Sequence, residues 1–374
     1  MQHYLKIYTL FSKMLIRKNC VICIHSLLKE FICFNDFPIK SCEDNLNSSN
    51  SLYKWDMHIG CCELCGSIQL MNLLDPTILY GGKYPFDTSY SIEWSQHHDQ
   101  LADFIKNQIN INTPLIEIGA SSCILANRLV KIYTDYTIFD FSLESAVIEP
   151  QFKYIEGNCE NYNFNSESAL IMSHVFEHLY DPVKFINNCK NNNVKDIVIS
   201  IPNMNNKYSL HITREHTFTY TTNDIIYIFN CLNYTCVKYI EFLENHSIFY
   251  HFKLDNNSSN IHHIYNSNHN LYTKTFLNKK FTIPPNSILT GAGFWSQVLY
   301  KNITNNENIT CIIDNDSTKQ NKIFYNTNLF IYPFSILSTL SEPINVIVLK
   351  NKSWTNEIIT KIHDLNQNAN IIEI

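Results

Sequence analysis

The chain has 374 residues, enough for two or three domains with cores of their own. A net charge of −6 leaves no basic footprint for nucleic acid, and 13 cysteines are too few for a disulfide scaffold of this length. Residues 1–16, MQHYLKIYTLFSKMLI, form an apolar extension interrupted by Lys6 and Lys13. No small-residue cleavage site follows, so no signal peptide is expected. Nowhere does the chain reach the ~18 uncharged apolar residues that span a bilayer. With its thiols read as reduced, the protein is expected in the cytoplasm and away from membranes.

Residues 17–90 show no long periodic segment and predict a small, loop-rich module. It carries two Cys-x-x-Cys pairs, Cys20/Cys23 and Cys62/Cys65. Zinc takes four soft ligands in a closed tetrahedron, so the two pairs point to a structural zinc site. Such a site supplies ~10 kcal/mol or more of folding energy to a module with a poor core. Cys33, Cys42 and Cys61 lie nearby, and Cys61 is an alternative to Cys62; the bland reading is that some of these are ordinary buried cysteines.

Residues 91–254 alternate. A helix over 91–109 places Leu101, Phe104, Ile105 and Ile109 on one face. Strands follow at 115–118, 136–141, 153–157, 169–173 and 196–202, with helices at 122–133, 182–190 and 221–233, the last capped by a threonine. CVKYIEFL and SIFYHFKL close the unit as an antiparallel pair. This order predicts a doubly wound, mainly parallel sheet. Residues 255–285 read as a polar linker. Residues 286–374 hold a second α/β unit on the same plan, opening with GAGFWSQ and placing Asp314 and Asp316 at a strand end. This second turn either binds a nucleotide or is an inherited, empty version of the fold.

Glu117-Ile118-Gly119-Ala120 ends the first strand of the 91–254 unit, where backbone N–H groups face a ligand. Asp140 ends the next strand, close to the ~20-residue spacing of a ribose-binding acid. S-adenosylmethionine (SAM) fits better than NAD, because the full Gly-x-Gly-x-x-Gly is missing. Cys123 stands where a second glycine is usual and is expected to crowd the methionine part of the cofactor. His174, Glu177 and His178 formally match His-x-x-Glu-His, an inverted zinc-protease motif. That motif needs one long helix, whereas His174 sits at a strand end and Pro182 follows soon after. The segment is therefore read as a loop lining the cofactor cleft, with capping as the bland reading for Glu177 and His178. Glu215-His216 lies on a loop facing the substrate side, and a carboxylate-backed imidazole is a natural general base. A surface Glu-His pair is the bland alternative.

Taken together, CELCGSIQL, DPTILYGGKYPFDTSYS, Glu-Ile-Gly, His-Val-x-Glu-His, SIPNMNN, REHTFTYTT and GAGFWSQVLY resemble the three-part C-methyltransferases of nucleotide-linked keto sugars, over most of the chain. The resemblance implies a zinc module, a Rossmann-like class I methyltransferase domain and a C-terminal Rossmann-like α/β domain. It implies zinc on Cys20, Cys23, Cys62 and Cys65, SAM at Glu117, Gly119 and Asp140, and catalysis by His216 supported by Glu215. Ala120 and His174 belong to the expected cofactor cleft. The chain departs from the pattern at Cys123, and at Thr213 and Arg214, where a tyrosine often stands. O- or N-methylation of a sugar and a non-catalytic binding protein are the alternatives.

Overall fold

The computed structural model describes residues 14–24, 27–39, 42–43, 54–80, 92–143, 150–205, 213–243, 246–255, 277–325, 327–350 and 355–374. Most of the 1–16 extension, residues 81–91 and residues 256–276 of the expected linker lie outside them. No helix among the described residues is long and apolar enough to cross a membrane.

The N-terminal region is less loop-rich than its sequence suggests. β1 (Met14–Ile16) pairs antiparallel with β6 (Asn72–Leu74), so the end of the extension is a strand. β2 (Leu28–Pro38), β4 (Lys54–Cys62) and β5 (Ile68–Leu70) form an antiparallel sheet. Register shifts at Glu30/Ile32 and at Phe34/Phe37 break the two-residue alternation, which is why the eleven-residue β2 does not read as a strand. β3 (Cys42–Glu43) pairs with β16 (Ile323–Phe324), tying this region to the C-terminal unit.

The central sheet contains β7 (Leu115–Ile118), β8 (Tyr136–Asp140), β9 (Lys153–Glu156), β10 (Ala169–Ser173), β11 (Asp196–Pro202), β12 (Tyr234–Phe242) and β13 (Ser247–Leu254). Their order is β12-β13-β11-β10-β7-β8-β9; β13 is antiparallel to both of its neighbours, β11 and β12. β7 to β11 are mutually parallel, and the central β10 and β11 are nearly all apolar, as strands covered on both faces must be. One face is packed by the helices Ile92–Gln108 and Ile124–Leu129, through Leu101, Ile105, Leu125 and Leu129. The other is packed by Pro182–Asn191 and Thr222–Cys231, through Phe185, Ile186, Ile228 and Phe229. The expected threonine cap is Thr221, in a capping box with Asp224. The cysteine pairs and Ile22 join this second face's core and are continuous with it. The result is a Rossmann-like α/β sheet whose order reverses between β7 and β10. Such a reversal opens a crevice at the carboxyl ends of the two strands.

In the C-terminal unit, β14 (Ser287–Thr290), β15 (Ile309–Ile313), β17 (Ile331–Tyr332), β18 (Asn345–Val348) and β19 (Asn370–Glu373) make a parallel sheet ordered β17-β15-β14-β18-β19. Gly291 takes the left-handed conformation, and Asp314 accepts the Ala292 N–H at 2.6 Å with Lys319 Nζ 3.6 Å away. The acid of this turn is thus already engaged by its own loop.

Candidate active site

After β7 the chain turns at Gly119 with φ 73°. A Cβ here would lie 2.5 Å from Val175 Cγ2, so glycine is required where the loop passes the end of β10. Asp140, at the end of β8, accepts backbone N–H groups from Ser121, Phe141 and Ser142. Burial raises its pKa above the usual carboxylate value despite those donors. Gly119, Ser121, Asp140, Asn158, His174 and His178 line a half-open cleft at the carboxyl ends of the strands.

Glu117 and Ala120 are not among the lining residues. Strand alternation turns Glu117 to the opposite face, where the Tyr136 hydroxyl donates to its Oε2 at 2.5 Å. Burial pushes the Glu117 carboxyl up to about 7. Cys123 precedes the helix Ile124–Leu129 with φ 58°, the conformation in which glycine is usual. Its side chain is fully buried in the core beneath that helix, so it does not crowd the cleft, contrary to expectation.

β10 ends at Ser173, and the chain reverses through His174 at φ 53° into a short 3-10 turn, Phe176–His178. This is no long helix, in keeping with the rejection of a protease motif. His174 meets the Ser247 hydroxyl at 2.8 Å through Nε2, and its Nδ1 lies 3.4 Å from Glu177 Oε1. Glu177 is 0% exposed, and neither carboxylate oxygen has a hydrogen-bond partner. Burial pushes it up to about 7. His178 Nδ1 is 3.0 Å from the Tyr80 hydroxyl.

The His216 ring lies 5.0 Å from that of His178, centroid to centroid. Glu177, His178 and His216 each offer an atom within 4.8 Å of the others'. His216 is not among the residues that line the cleft; it adjoins it through His178 and has Glu177 as a carboxylate neighbour, a pairing that the sequence did not suggest. Glu215 donates its backbone N–H to Thr213 Oγ1 at 3.1 Å, and its charge is felt at Tyr180. Glu177 sits 39 residues before His216 in sequence and reads there as part of a cleft-lining loop, with capping as the bland reading; only the folded loops bring the two together.

The N-terminal region holds these loops in place. Thr217 donates its N–H to the Glu177 carbonyl and its hydroxyl to the Leu179 carbonyl, at 3.0 and 2.7 Å. β5 then pairs with this segment: Leu70 N–H reaches Thr217 O at 3.0 Å, and Thr219 N–H reaches Ile68 O at 2.8 Å. Buried Arg17 donates to Thr217 O at 2.6 Å and to Tyr180 O at 2.7 Å. Arg214 points away from the cleft and donates to the carbonyls of Phe37, Trp55 and Asp56. Neither arginine was legible as a fastening in sequence, since their partners are backbone carbonyls.

Behind this wall the four paired cysteines converge. Cys20 and Cys65 Sγ are 3.5 Å apart, and Cys23 and Cys62 Sγ are 3.6 Å apart. Zinc–sulfur bonds of 2.3 Å in a tetrahedron give sulfur separations of about 3.8 Å, so the set fits that ion. Gln69 Nε2 donates to Cys20 Sγ at 3.0 Å, and Cys65 N–H to Cys62 Sγ at 3.4 Å, as outer partners of a thiolate site do. Cys61 lies outside the set; its Sγ is directed to the Cys62 and Gly66 carbonyls.

No protein family's sequence profile matches the chain, and no curated protein matches it. Solved structures overlap it in part. A magnesium protoporphyrin IX methyltransferase from Synechocystis PCC 6803 is 10% identical, with TM-score 0.38, over 45% of this chain and 90% of that one. The methyltransferase domain of bacterial CtHen1 is 15% identical, with TM-score 0.36, over 43% and 100%. A Burkholderia thailandensis 1,6-didemethyltoxoflavin-N1-methyltransferase is 8% identical, with TM-score 0.37, over 45% and 82%. Likenesses at this level say nothing of activity.

Proposed function

We propose that the protein is a SAM-dependent methyltransferase acting on a nucleotide-linked keto sugar, with transfer to carbon. The observation that carries this reading is a cleft at the sheet's switch point lined by a glycine turn, a strand-end carboxylate and His178, whose ring adjoins His216 and Glu177. SAM supplies an electrophilic methyl group. Gly119 lets the loop approach the ligand, Asp140 accepts ribose hydroxyls, and His174 closes the inner end. His216 takes the proton from the carbon beside the keto group, a contribution of ~10²–10⁴-fold for a positioned base. Glu177 steadies the imidazolium that results, and Glu215 supports it through the loop. Cys20, Cys23, Cys62 and Cys65 hold Zn²⁺, which fixes β5 against the 217–219 segment.

The test is mass spectrometry of a nucleotide-sugar panel incubated with labelled SAM. A gain of one methyl, with deuterium exchange at the acceptor carbon in its absence, is expected. Methyl gain without exchange assigns transfer to oxygen or nitrogen. No methyl gain on any sugar overturns the substrate class.

A further inference from the structure

The orphaned carboxylate of Glu177 is the unexplained feature of the site. Only four buried side-chain polar atoms lack a partner among the described residues, and two of them are its oxygens. A buried carboxyl without a hydrogen bond is costly in either protonation state; His174 Nδ1, 3.4 Å from Oε1, makes no hydrogen bond to it, whereas a bound cation would satisfy it. The remaining described cluster members are two imidazoles, and both approach the same space.

We propose that Glu177, His178 and His216 hold a divalent cation beside the cleft, reached through His178. Two histidines and one carboxylate form a ligand set that suits first-row divalent metals and leaves coordination positions open. Two imidazoles on one tetrahedral metal, with metal–nitrogen bonds of ~2.0–2.1 Å, place their ring centres about 5 Å apart. The His178 and His216 rings are 5.0 Å apart. Tyr80 engages His178 Nδ1 at 3.0 Å and leaves Nε2 as the nitrogen open to a metal, the arrangement in which an outer partner fixes a metal-binding histidine. The bond from Thr217 N–H to the Glu177 carbonyl joins the two ligand-bearing segments directly. His178 also lines the cleft that contains Gly119 and Asp140, so the open positions face the donor side. The ligand class for those positions is an oxygen pair of a sugar acceptor, such as a keto oxygen and its neighbouring hydroxyl. This use rests on the methyltransferase reading. With the cation seated, His216 is a ligand and cannot take the proton, so the cation-loaded form holds the acceptor without methylating it and turnover belongs to the cation-free form.

The test uses zinc-replete full-length protein and Co²⁺ as the probe, followed by equilibrium dialysis and visible absorption, with SAM binding measured separately. One Co²⁺ per chain is expected, without the intense thiolate-to-metal band of a sulfur site. Glu177→Gln, which keeps the side chain's shape, should weaken binding at least tenfold. Tyr80→Phe should weaken it by ~10–100-fold, as loss of an outer partner does, and keeps the result readable if the Glu177 variant misfolds. His97→Asn, in the separate His97–His174–His246 group, should leave binding unchanged. No Co²⁺ beyond the zinc site, or binding that survives Glu177→Gln and is lost with His97→Asn, overturns the proposal. SAM binding with no added Co²⁺ leaves the methyltransferase reading standing alone; Co²⁺ binding without SAM binding supports the cation site and removes the donor.

Discussion

Arg17→Met tests whether the N-terminal region positions the catalytic loop. Arg17 is buried and donates to Thr217 O at 2.6 Å and to Tyr180 O at 2.7 Å. Hydrogen bonds from a charged group are worth ~1.5–3 kcal/mol each, so the two short ones to carbonyls contribute about 3–6 kcal/mol, and a third, longer one reaches Thr217 Oγ1 at 3.2 Å. Against this stands the cost of burying the guanidinium, which lowers its pKa from 12.5 to about 10. At 1.36 kcal/mol per unit, that cost is about 3 kcal/mol. The two nearly offset, and methionine keeps much of the apolar stem. A net loss of about 0–3 kcal/mol follows, or a fall in Tm of ~2–4 °C per kcal/mol. Thr217 keeps its bond from Leu70, whereas the loop loses its tie to Tyr180. Misplacement of a catalytic group by ~1 Å costs ~10²-fold in rate. Scanning calorimetry, SAM titration and turnover on the accepted sugar should therefore show modest destabilisation, intact donor binding and turnover down ~10²-fold. Unchanged turnover in the folded variant would refute the reasoning.

Cys62→Ser should reduce bound zinc from one per chain to none and remove ~10 kcal/mol of folding energy from the N-terminal region, read by metal counting and protease cleavage there. Glu117→Gln should alter the pH profile of stability. With a folded pKa of about 7 against 4.5, the folded chain retains a proton that the unfolded chain releases, so stability falls as pH rises from 4.5 to 7. That decline is about 3 kcal/mol, and denaturation at either end of the window should show it flattened in the variant. Cys123→Gly should leave SAM affinity unchanged, because relief of the left-handed backbone, worth ~1–2 kcal/mol, concerns the fold and not the cleft; tighter binding would mean that the thiol does crowd the donor.

The alternating strands of the central sheet were readable because β10 and β11 are almost wholly apolar, as parallel strands under helices must be. Gly119 and Asp140 were readable because a strand end fixes where each side chain stands. β2 was hidden by its two bulges, which scramble the alternation. Glu117 and Cys123 carry suitable chemistry next to the motif, but strand pleat and helix packing turn them away from the cleft. Glu177 was the reverse case: adjacency in sequence favoured Glu215 as the partner of His216, and the reversal at His174 brought in Glu177 from another strand. Arg17 and Arg214 bond to carbonyls, which have no sequence signature.

The most direct measurement is calorimetric titration of SAM into the full-length protein and into Asp140→Asn. One SAM should bind per chain. The substitution should weaken it by ~10–100-fold, the equivalent of losing 1.5–3 kcal/mol from charge-assisted hydrogen bonds to the ribose. Absence of binding, or equal affinity in the two proteins, would contradict the placement of the donor between Gly119 and Asp140.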